Sequence, residues 1–195
     1  MKGYPTYPNT RAYLERVSEL LKELPAQCDH FIETLYKGFE AGRTIFLCGN
    51  GGSAANASHF GQDLAKGTLS SMSATRRFRV IPLTDNIGFI TALANDQGYD
   101  SIFEQQLRNL AAPGDLLVAI SGSGNSPNVL RAVEYARSIG MKTIGVTGYD
   151  GGKLRKLADE SVHIAIEDMG MTEALHGVVF HAAMCFLRER LAGLS

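Results

Sequence analysis

The fold of this chain is decided by a stretch in its second half, Leu116-Leu-Val-Ala-Ile-Ser-Gly-Ser-Gly-Asn-Ser126, which Pro127 follows directly. Residues 116–120 form a short, uninterrupted apolar run, as in strands of a parallel sheet that is covered by helices on both faces. Proline at 127 suits the first position of a helix. The stretch therefore predicts a strand, a glycine-rich loop and a helix in direct succession.

The same alternation extends in both directions along the chain. Further short apolar runs predict strands at 44–47, 78–83, 143–146 and 162–166, and helical spacing of apolar residues predicts helices at 53–66, 86–95, 101–111, 127–139, 152–158 and 171–192. This pattern is typical of an α/β fold, a doubly wound five-stranded parallel sheet flanked by helices. Residues 10–42 add an N-terminal helical hairpin, divided at Pro25 and closed by Gly42. No linker or repeat interrupts residues 1–195, so we expect a single domain.

Composition limits the classes of function. The chain has 195 residues, 45% of them hydrophobic, and a formal charge of -1, so no overall field attracts nucleic acid or an anionic membrane. No apolar run approaches the ~18–20 residues of a membrane span, and the first residues lack a signal sequence. Three widely spaced cysteines, Cys28, Cys48 and Cys185, suit reduced thiols. We expect a cytoplasmic protein that binds neither nucleic acid nor membrane.

The loop after residue 120 has the features of a phosphate site. Glycines let backbone N–H groups converge on an anion, and the following helix adds partial positive charge at its N-terminus. Ser121, Ser123 and Ser126 supply hydroxyls, and Gly122 lies between the first two. The alternative is a tight turn in which one serine caps the helix. Three serines exceed what a cap requires, which favours phosphate.

A second glycine-rich loop follows the strand at 44–47. It consists of Asn50, Gly51, Gly52 and Ser53, and it matches neither the dinucleotide fingerprint nor the P-loop. Alone it is equally a turn. Because both loops lie at the carboxyl edge of one predicted sheet, together they predict a shared pocket for a phosphorylated small molecule. Asn95 and Asp96 are candidates for binding its hydroxyl groups, although both residue types are ordinary in turns.

Two predicted helices carry paired carboxylates and imidazoles. His59 and Asp63 are four residues apart and share a helix face, while Glu173 and His181 lie on the long last helix. These four residues could hold Zn²⁺ or a similar ion, or transfer protons directly. The alternatives are a surface His–Asp pair and a core histidine, and spacing alone favours those.

These motifs in this order resemble the sugar isomerase (SIS) domain family, and within it the phosphoheptose isomerase branch. The resemblance covers Cys48–Phe60, Ala94–Asp100, Gly114–Ser126 and Thr147–Lys153. It implies a homotetramer with active sites at subunit interfaces, with residues 1–42 helping assembly. It also implies Zn²⁺ and an acid–base pair drawn from His59, Asp63, Glu173 and His181. By position, the substrate contacts would be Asn50, Gly51, Gly52, Ser53, Asp63, Asn95, Asp96, Ser121, Gly122, Ser123, Ser126 and Glu173.

The chain departs from that branch at four positions. Asp63 stands where a glutamate is expected, Glu173 where a glutamine is expected, and Gly122 where a threonine is expected. Gly67 stands where an arginine is expected, beside Lys66. These departures point to a different sugar phosphate or to altered kinetics.

The leading hypothesis is an aldose–ketose isomerase that acts through an enediol(ate), with sedoheptulose 7-phosphate as substrate and D-glycero-D-manno-heptose 7-phosphate as product. Asp63 or Glu173 would form the base–acid pair with His181, and which member of the pair is the base stays open. The rival is a non-catalytic SIS-domain regulator that binds a sugar phosphate or a protein such as the DnaA initiator; retention of His181 favours the enzyme. A hexosamine-forming enzyme is less consistent, since no further domain supplies the amine.

Overall fold

The computed structural model describes residues 5–192. Its strands are β1 (Thr44–Cys48), β2 (Arg79–Pro82), β3 (Leu116–Ser121), β4 (Lys142–Thr147) and β5 (Glu160–His163). Its α-helices are α1 (Thr10–Leu21), α2 (Pro25–Glu40), α3 (Gly52–Gln62), α4 (Ile87–Gln97), α5 (Glu104–Leu110), α6 (Pro127–Ser138), α7 (Gly152–Leu157) and α8 (Met169–Ala192). A π-helical turn covers Asp63–Gly67 and a 3₁₀ turn covers Tyr99–Ser101.

The five strands form one parallel sheet in the order β2-β1-β3-β4-β5. Successive residues of each central strand face opposite cores: Ile45 and Leu47 pack with α1, α2, α3 and α8, whereas Phe46 and Cys48 pack with α5, α6 and α7. Because strand residues alternate between faces, this two-sided burial explains the uninterrupted apolar runs. The predicted doubly wound sheet is confirmed.

The N-terminal helices are part of one core. α2 buries Phe31, Leu35 and Phe39 against the sheet, and both α1 and α2 contact α8. Pro25 begins α2 instead of lying between the helices, because the first helical position needs no N–H donor. The part that residues 1–42 play in assembly stays a prediction, and residues 1–4 lie outside the described range.

Several predicted boundaries differ from the structure by a few residues, and two of the differences are informative. β5 ends at His163, although the Ile164 N–H still donates to the Thr147 carbonyl of β4 at 2.9 Å, and Ile164 and Ile166 pack into the core. The helix predicted over 53–66 is α-helical only to Gln62; the Thr68 N–H then donates to the Asp63 carbonyl at 3.1 Å, five residues back. Such π-helical turns are frequently found at functional sites.

Two helices leave apolar surface uncovered in the single chain. α4 is rich in apolar residues yet contains no buried residue, and Ile87 is 70% exposed. α8 is long and apolar enough to span a membrane by length and composition, but it packs along the core and buries Leu175, Val179 and Leu187. Its outer side exposes Val178 and Phe186.

Candidate active site

The sheet topology places the two glycine-rich loops side by side. The chain moves from β1 to β2 on one side and then crosses to β3 on the other, so the topological switch point lies between β1 and β3. Ligands of open α/β sheets bind at this point, beyond the carboxyl ends of the strands. The loop at 49–53 follows β1 and the loop at 121–126 follows β3.

The serine hydroxyls of the second loop do not cap α6. Ser126 is the N-cap residue, but its side chain makes no capping hydrogen bond; its hydroxyl pairs with that of Ser121 at 3.1 Å. Gly124 adopts φ +64°, and its N–H donates to the Ser121 carbonyl at 2.9 Å. The simple capping turn is therefore not the arrangement found here, and the hydroxyls face each other across the loop.

The space beside Gly122 is filled by a methionine. A Cβ at Gly122 would lie 2.5 Å from Sδ of Met169, at the start of α8. Real Cβ contacts are longer than 3.0 Å, so a threonine at this position would require the methionine to move. Gly67, which stands where an arginine is expected, is also close to a methionine. A Cβ at Gly67 would lie 3.1 Å from Cγ of Met184.

The first loop contacts α8 through Glu173. Gly51 adopts φ +56°, and at Gly52 an added Cβ would come within 3.0 Å of all three carboxyl atoms of Glu173. Asn56 of α3 donates to the Glu173 carbonyl at 3.0 Å, which ties the two helices together at this point. The carboxylate thus lies on the first loop, at the N-terminal end of α3, where the helix dipole favours negative charge.

An amide network that the sequence analysis missed joins the two loops. Asn50 and Asn128 exchange hydrogen bonds between their side-chain amides at 2.8 and 2.9 Å, and the Tyr99 hydroxyl donates to Oδ1 of Asn50 at 2.9 Å. Asn128 is 2% exposed. The sequence could have indicated Asn128, because this polar residue lies one turn before Ala132 and so shares the buried face of α6.

His59, Asp63 and His181 meet where α3 contacts α8. Nε2 of His59 is 3.7 Å from Oδ2 of Asp63, and Nε2 of His181 is 3.4 Å from the same oxygen. One ligand atom from each residue lies within 4.8 Å of the others. Asp63 is buried, whereas the side chains of His59 and His181 are 55% and 53% exposed.

This three-residue group fits a zinc ion. Ligand atoms about 2.0–2.1 Å from one tetrahedral centre are about 3.4 Å apart. The two histidine–aspartate separations, 3.4 and 3.7 Å, are close to this value, and all three ligand atoms lie within 4.8 Å of one another. Two imidazoles and a carboxylate are a donor set that zinc prefers, with one position left for water or substrate. Glu173, the fourth predicted ligand, does not belong to the group: it lies eight residues before His181 on α8, about 12 Å along the helix axis.

Asn95 and Asp96 hydrogen-bond to each other. They lie exposed near the end of α4, where Nδ2 of Asn95 donates to Oδ1 of Asp96 at 2.9 Å. Ser53 is buried at the start of α3, and Ser123 is exposed at the tip of its loop. The structure thus places the two loops at one edge of the sheet and the imidazole–carboxylate group farther along α3, while Asn95 and Asp96 lie at the exposed end of α4.

Other candidate features carry no chemistry at this edge of the sheet. Burial raises the pKa of the Cys48 thiol to about 12, so this residue beside the first loop is not a nucleophile. A separate cleft lies between the end of α2 and the serine-rich segment 68–76, and none of the predicted site residues lines it.

Comparison with known proteins identifies the family. The family model described as "SIS domain" matches residues 9–148. The chain belongs to the SIS-domain family. Among SIS-domain proteins, a phosphoheptose isomerase of Aliarcobacter butzleri is 37% identical over 174 residues, covering 89% of this chain and 90% of that protein. A probable phosphoheptose isomerase of Thermoplasma acidophilum is 37% identical over 158 residues, covering 81% and 85%.

Solved structures of SIS-domain proteins give the same result. A phosphoheptose isomerase from Neisseria gonorrhoeae superposes with a TM-score of 0.83 at 30% identity, covering 92% of this chain and 96% of that chain. One from Francisella tularensis superposes with a TM-score of 0.85 at 28% identity, with the same coverage. The resemblance expected from the motifs is confirmed.

Proposed function

We propose that this protein is a phosphoheptose isomerase, which interconverts sedoheptulose 7-phosphate and an aldoheptose 7-phosphate. The observation that carries the proposal is the meeting of His59, Asp63 and His181 on α3 and α8, because α3 begins at the first glycine-rich loop. The names of its relatives support the same activity. Retention of all three side chains favours an enzyme over a non-catalytic SIS-domain regulator, which needs no proton-transfer group.

The loops would fix the substrate through its phosphate. The Ser121–Ser126 loop offers hydroxyls and glycine N–H groups at the N-terminus of α6, a favourable place for an anion. Binding energy from this remote group would orient the carbonyl end of the sugar. The imidazole–carboxylate group lies about 12 Å along α3 from the first loop, so an extended sugar phosphate would reach both.

The reaction moves two protons within the sugar. A base removes a proton from C1 of the ketose while an acid protonates the C2 oxygen, giving an enediol. The same proton is returned at C2 while the C1 hydroxyl loses its proton, and the aldehyde forms. We assign the base to Asp63 and the acid to His181, because these two side chains lie 3.4 Å apart and so reach adjacent atoms of the sugar, whereas Glu173 lies about 12 Å along α8 from His181.

Zinc would be held by His59, Asp63 and His181. When bound, it supplies polarisation of the sugar oxygens and stabilises the negative charge that develops on them. The residues of the chain retain separate tasks: Asp63 moves the carbon-bound proton with its other carboxylate oxygen, and the amide pair of Asn50 and Asn128 links the first loop to the start of α6.

The proposal is tested by direct turnover. Purified protein with defined zinc content is incubated with sedoheptulose 7-phosphate and with a panel of shorter ketose phosphates, and aldose formation is followed by NMR. We expect turnover of the seven-carbon substrate, and its loss in His181→Ala with the fold retained. A protein that converts no ketose phosphate, with zinc or any other divalent ion, would instead be a binding module.

Assembly into a homotetramer would complete the site. Half-exposed metal-ligand candidates, an apolar α4 without buried residues, and Val178 and Phe186 on the outer side of α8 all support burial against another copy. Asn95 and Asp96, on α4, would then complete a site in a second subunit. We expect Ile87→Asp to lower the mass measured by light scattering, and a variant that stays assembled would contradict the role of α4.

A further inference from the structure

Two buried polar atoms behind the phosphate loop have no partner. Within residues 5–192, Oγ1 of Thr172 and Nδ1 of His176 are the buried side-chain atoms without a hydrogen bond, and both residues are fully buried. Leaving such an atom unpaired is costly, and native proteins contain few of them. Two on successive turns of α8 therefore call for a structural explanation.

The two atoms are chemically complementary. Nε2 of His176 lies 3.2 Å from the Thr147 carbonyl, which can only accept, so Nε2 carries the hydrogen. Burial lowers the pKa of His176 to about 4, and the ring is neutral at physiological pH. Nδ1 is then an acceptor, while the Thr172 hydroxyl can donate. Residues four apart on a helix share a face, so both atoms belong to the same buried region.

This region lies directly behind the joint between two loops of the site. The N–H of Gly148, after β4, donates to the carbonyl of Gly122 at 2.9 Å. Oγ1 of Thr172 would lie 2.6 Å from a Cβ at Gly148, and its methyl group 3.6 Å from one at Gly122. Thr172 thus contacts both sides of the joint that holds the phosphate loop.

We propose that Thr172 and His176 are positioning residues for the phosphate loop, joined by one buried water that accepts from Oγ1 of Thr172 and donates to Nδ1 of His176. The water links the loop joint at Gly122 and Gly148 to the Thr147 carbonyl through the imidazole. Buried waters normally bind in this way between otherwise unsatisfied polar groups. The inference rests on the proposed function only in that the loop binds a phosphate group.

A matched pair of variants separates the hydroxyl from the packing. Thr172→Val keeps the shape and removes the hydroxyl, whereas Thr172→Ser keeps the hydroxyl and removes the methyl group. Loss of one neutral hydrogen bond corresponds to about three- to tenfold in binding. We expect Thr172→Val to weaken inorganic phosphate binding, measured by calorimetry, by that factor. KM for the sugar phosphate should rise by the same factor, while kcat stays within about twofold of the wild-type value. The Thr172→Ser variant should resemble the wild type in both.

A spectroscopic readout follows the imidazole itself. Nitrogen-15 NMR should show Nδ1 of His176 as a hydrogen-bonded acceptor in the wild type and in Thr172→Ser, and as an unbonded one in Thr172→Val. An unchanged Nδ1 shift, or a Thr172→Val variant that binds phosphate as the wild type does and melts at a higher temperature, would overturn the inference. So would a wild-type protein that binds no inorganic phosphate. Phosphate binding without isomerisation would contradict only the proposed function.

Discussion

Replacing Gly52 by alanine tests the contact between the first loop and Glu173, a proposed substrate-binding residue. An added Cβ would come within 3.0 Å of all three carboxyl atoms of Glu173, so the carboxylate must move away from the first loop. The colliding atoms are the flexible end of a side chain, and alanine is a better helix former than glycine by up to about 1 kcal/mol. We therefore expect the Gly52→Ala variant to melt at or slightly above the wild-type temperature.

The activity of this variant should fall although its stability does not. A hydrogen bond between a substrate hydroxyl and a charged group contributes about 1.5–3 kcal/mol, and a carboxylate displaced from the first loop loses it. We expect KM for sedoheptulose 7-phosphate to rise at least about tenfold. As a control, Gly177→Ala adds a methyl group on the helix that carries Glu173, where it meets only Oδ1 of Asn56 at an ordinary 3.6 Å. That variant should keep the wild-type KM.

A double variant shows whether Glu173 transmits the effect. In a Glu173→Ala background the carboxylate is already absent, so adding Gly52→Ala should raise KM little further, and the two losses should not add. The assay is the initial rate of aldose formation over a range of substrate concentrations at fixed zinc. A wild-type KM in Gly52→Ala, or an equal rise in both backgrounds, would refute the role of Glu173 in substrate binding.

Three further predictions concern the metal, pH and packing. His59→Ala should lower the zinc content measured by mass spectrometry after dialysis, because it removes one of three ligands, whereas the exposed His30→Ala should not. The pKa of His176 is about 4 in the folded state and 6.5 when exposed, so the unfolded chain binds more protons between those values. Stability should therefore fall by about 2 kcal/mol from pH 7 to pH 5 in urea titrations, and this fall should shrink in His176→Gln. Gly122→Thr should lower the free energy of unfolding by about 1–3 kcal/mol in the same titration, because its Cβ meets Sδ of Met169. Adding Met169→Ala should restore part of this lost stability. A Gly122→Thr variant as stable as the wild type would show that the methionine moves freely.

The sheet could be predicted from the sequence because its signal is local. A parallel strand buried on both faces must be apolar throughout, so each strand is visible as a short run without knowledge of its neighbours. β5 shows the limit of this signal, since Ile164 and Ile166 are equally apolar and pack into the core but lie beyond the end of the strand. The π-helical turn after Gln62 could not be predicted either, because the spacing of apolar residues does not distinguish a π-helical turn from an α-helix.

The site was predictable in its parts and not in its grouping. Spacing along α3 places His59 and Asp63 on one face, but His181 is more than a hundred residues away, and only packing of α3 on α8 sets the 3.4 Å separation. The same packing places Glu173 on Gly52, away from the group it was expected to join. The metal and substrate roles of these residues stay predictions.

The π-helical turn at Asp63–Gly67 has a consequence for redesign of this protein. A π-helical turn contains one residue more than the α-helical path it replaces, so deleting one residue at 64–67 would return the turn to α-helical geometry without rotating the segment that follows. His59 and Asp63 precede most of the turn and are held by α3, so they should keep their positions as well. The turn is therefore a place where a redesigned chain can lose one residue with little effect on either side.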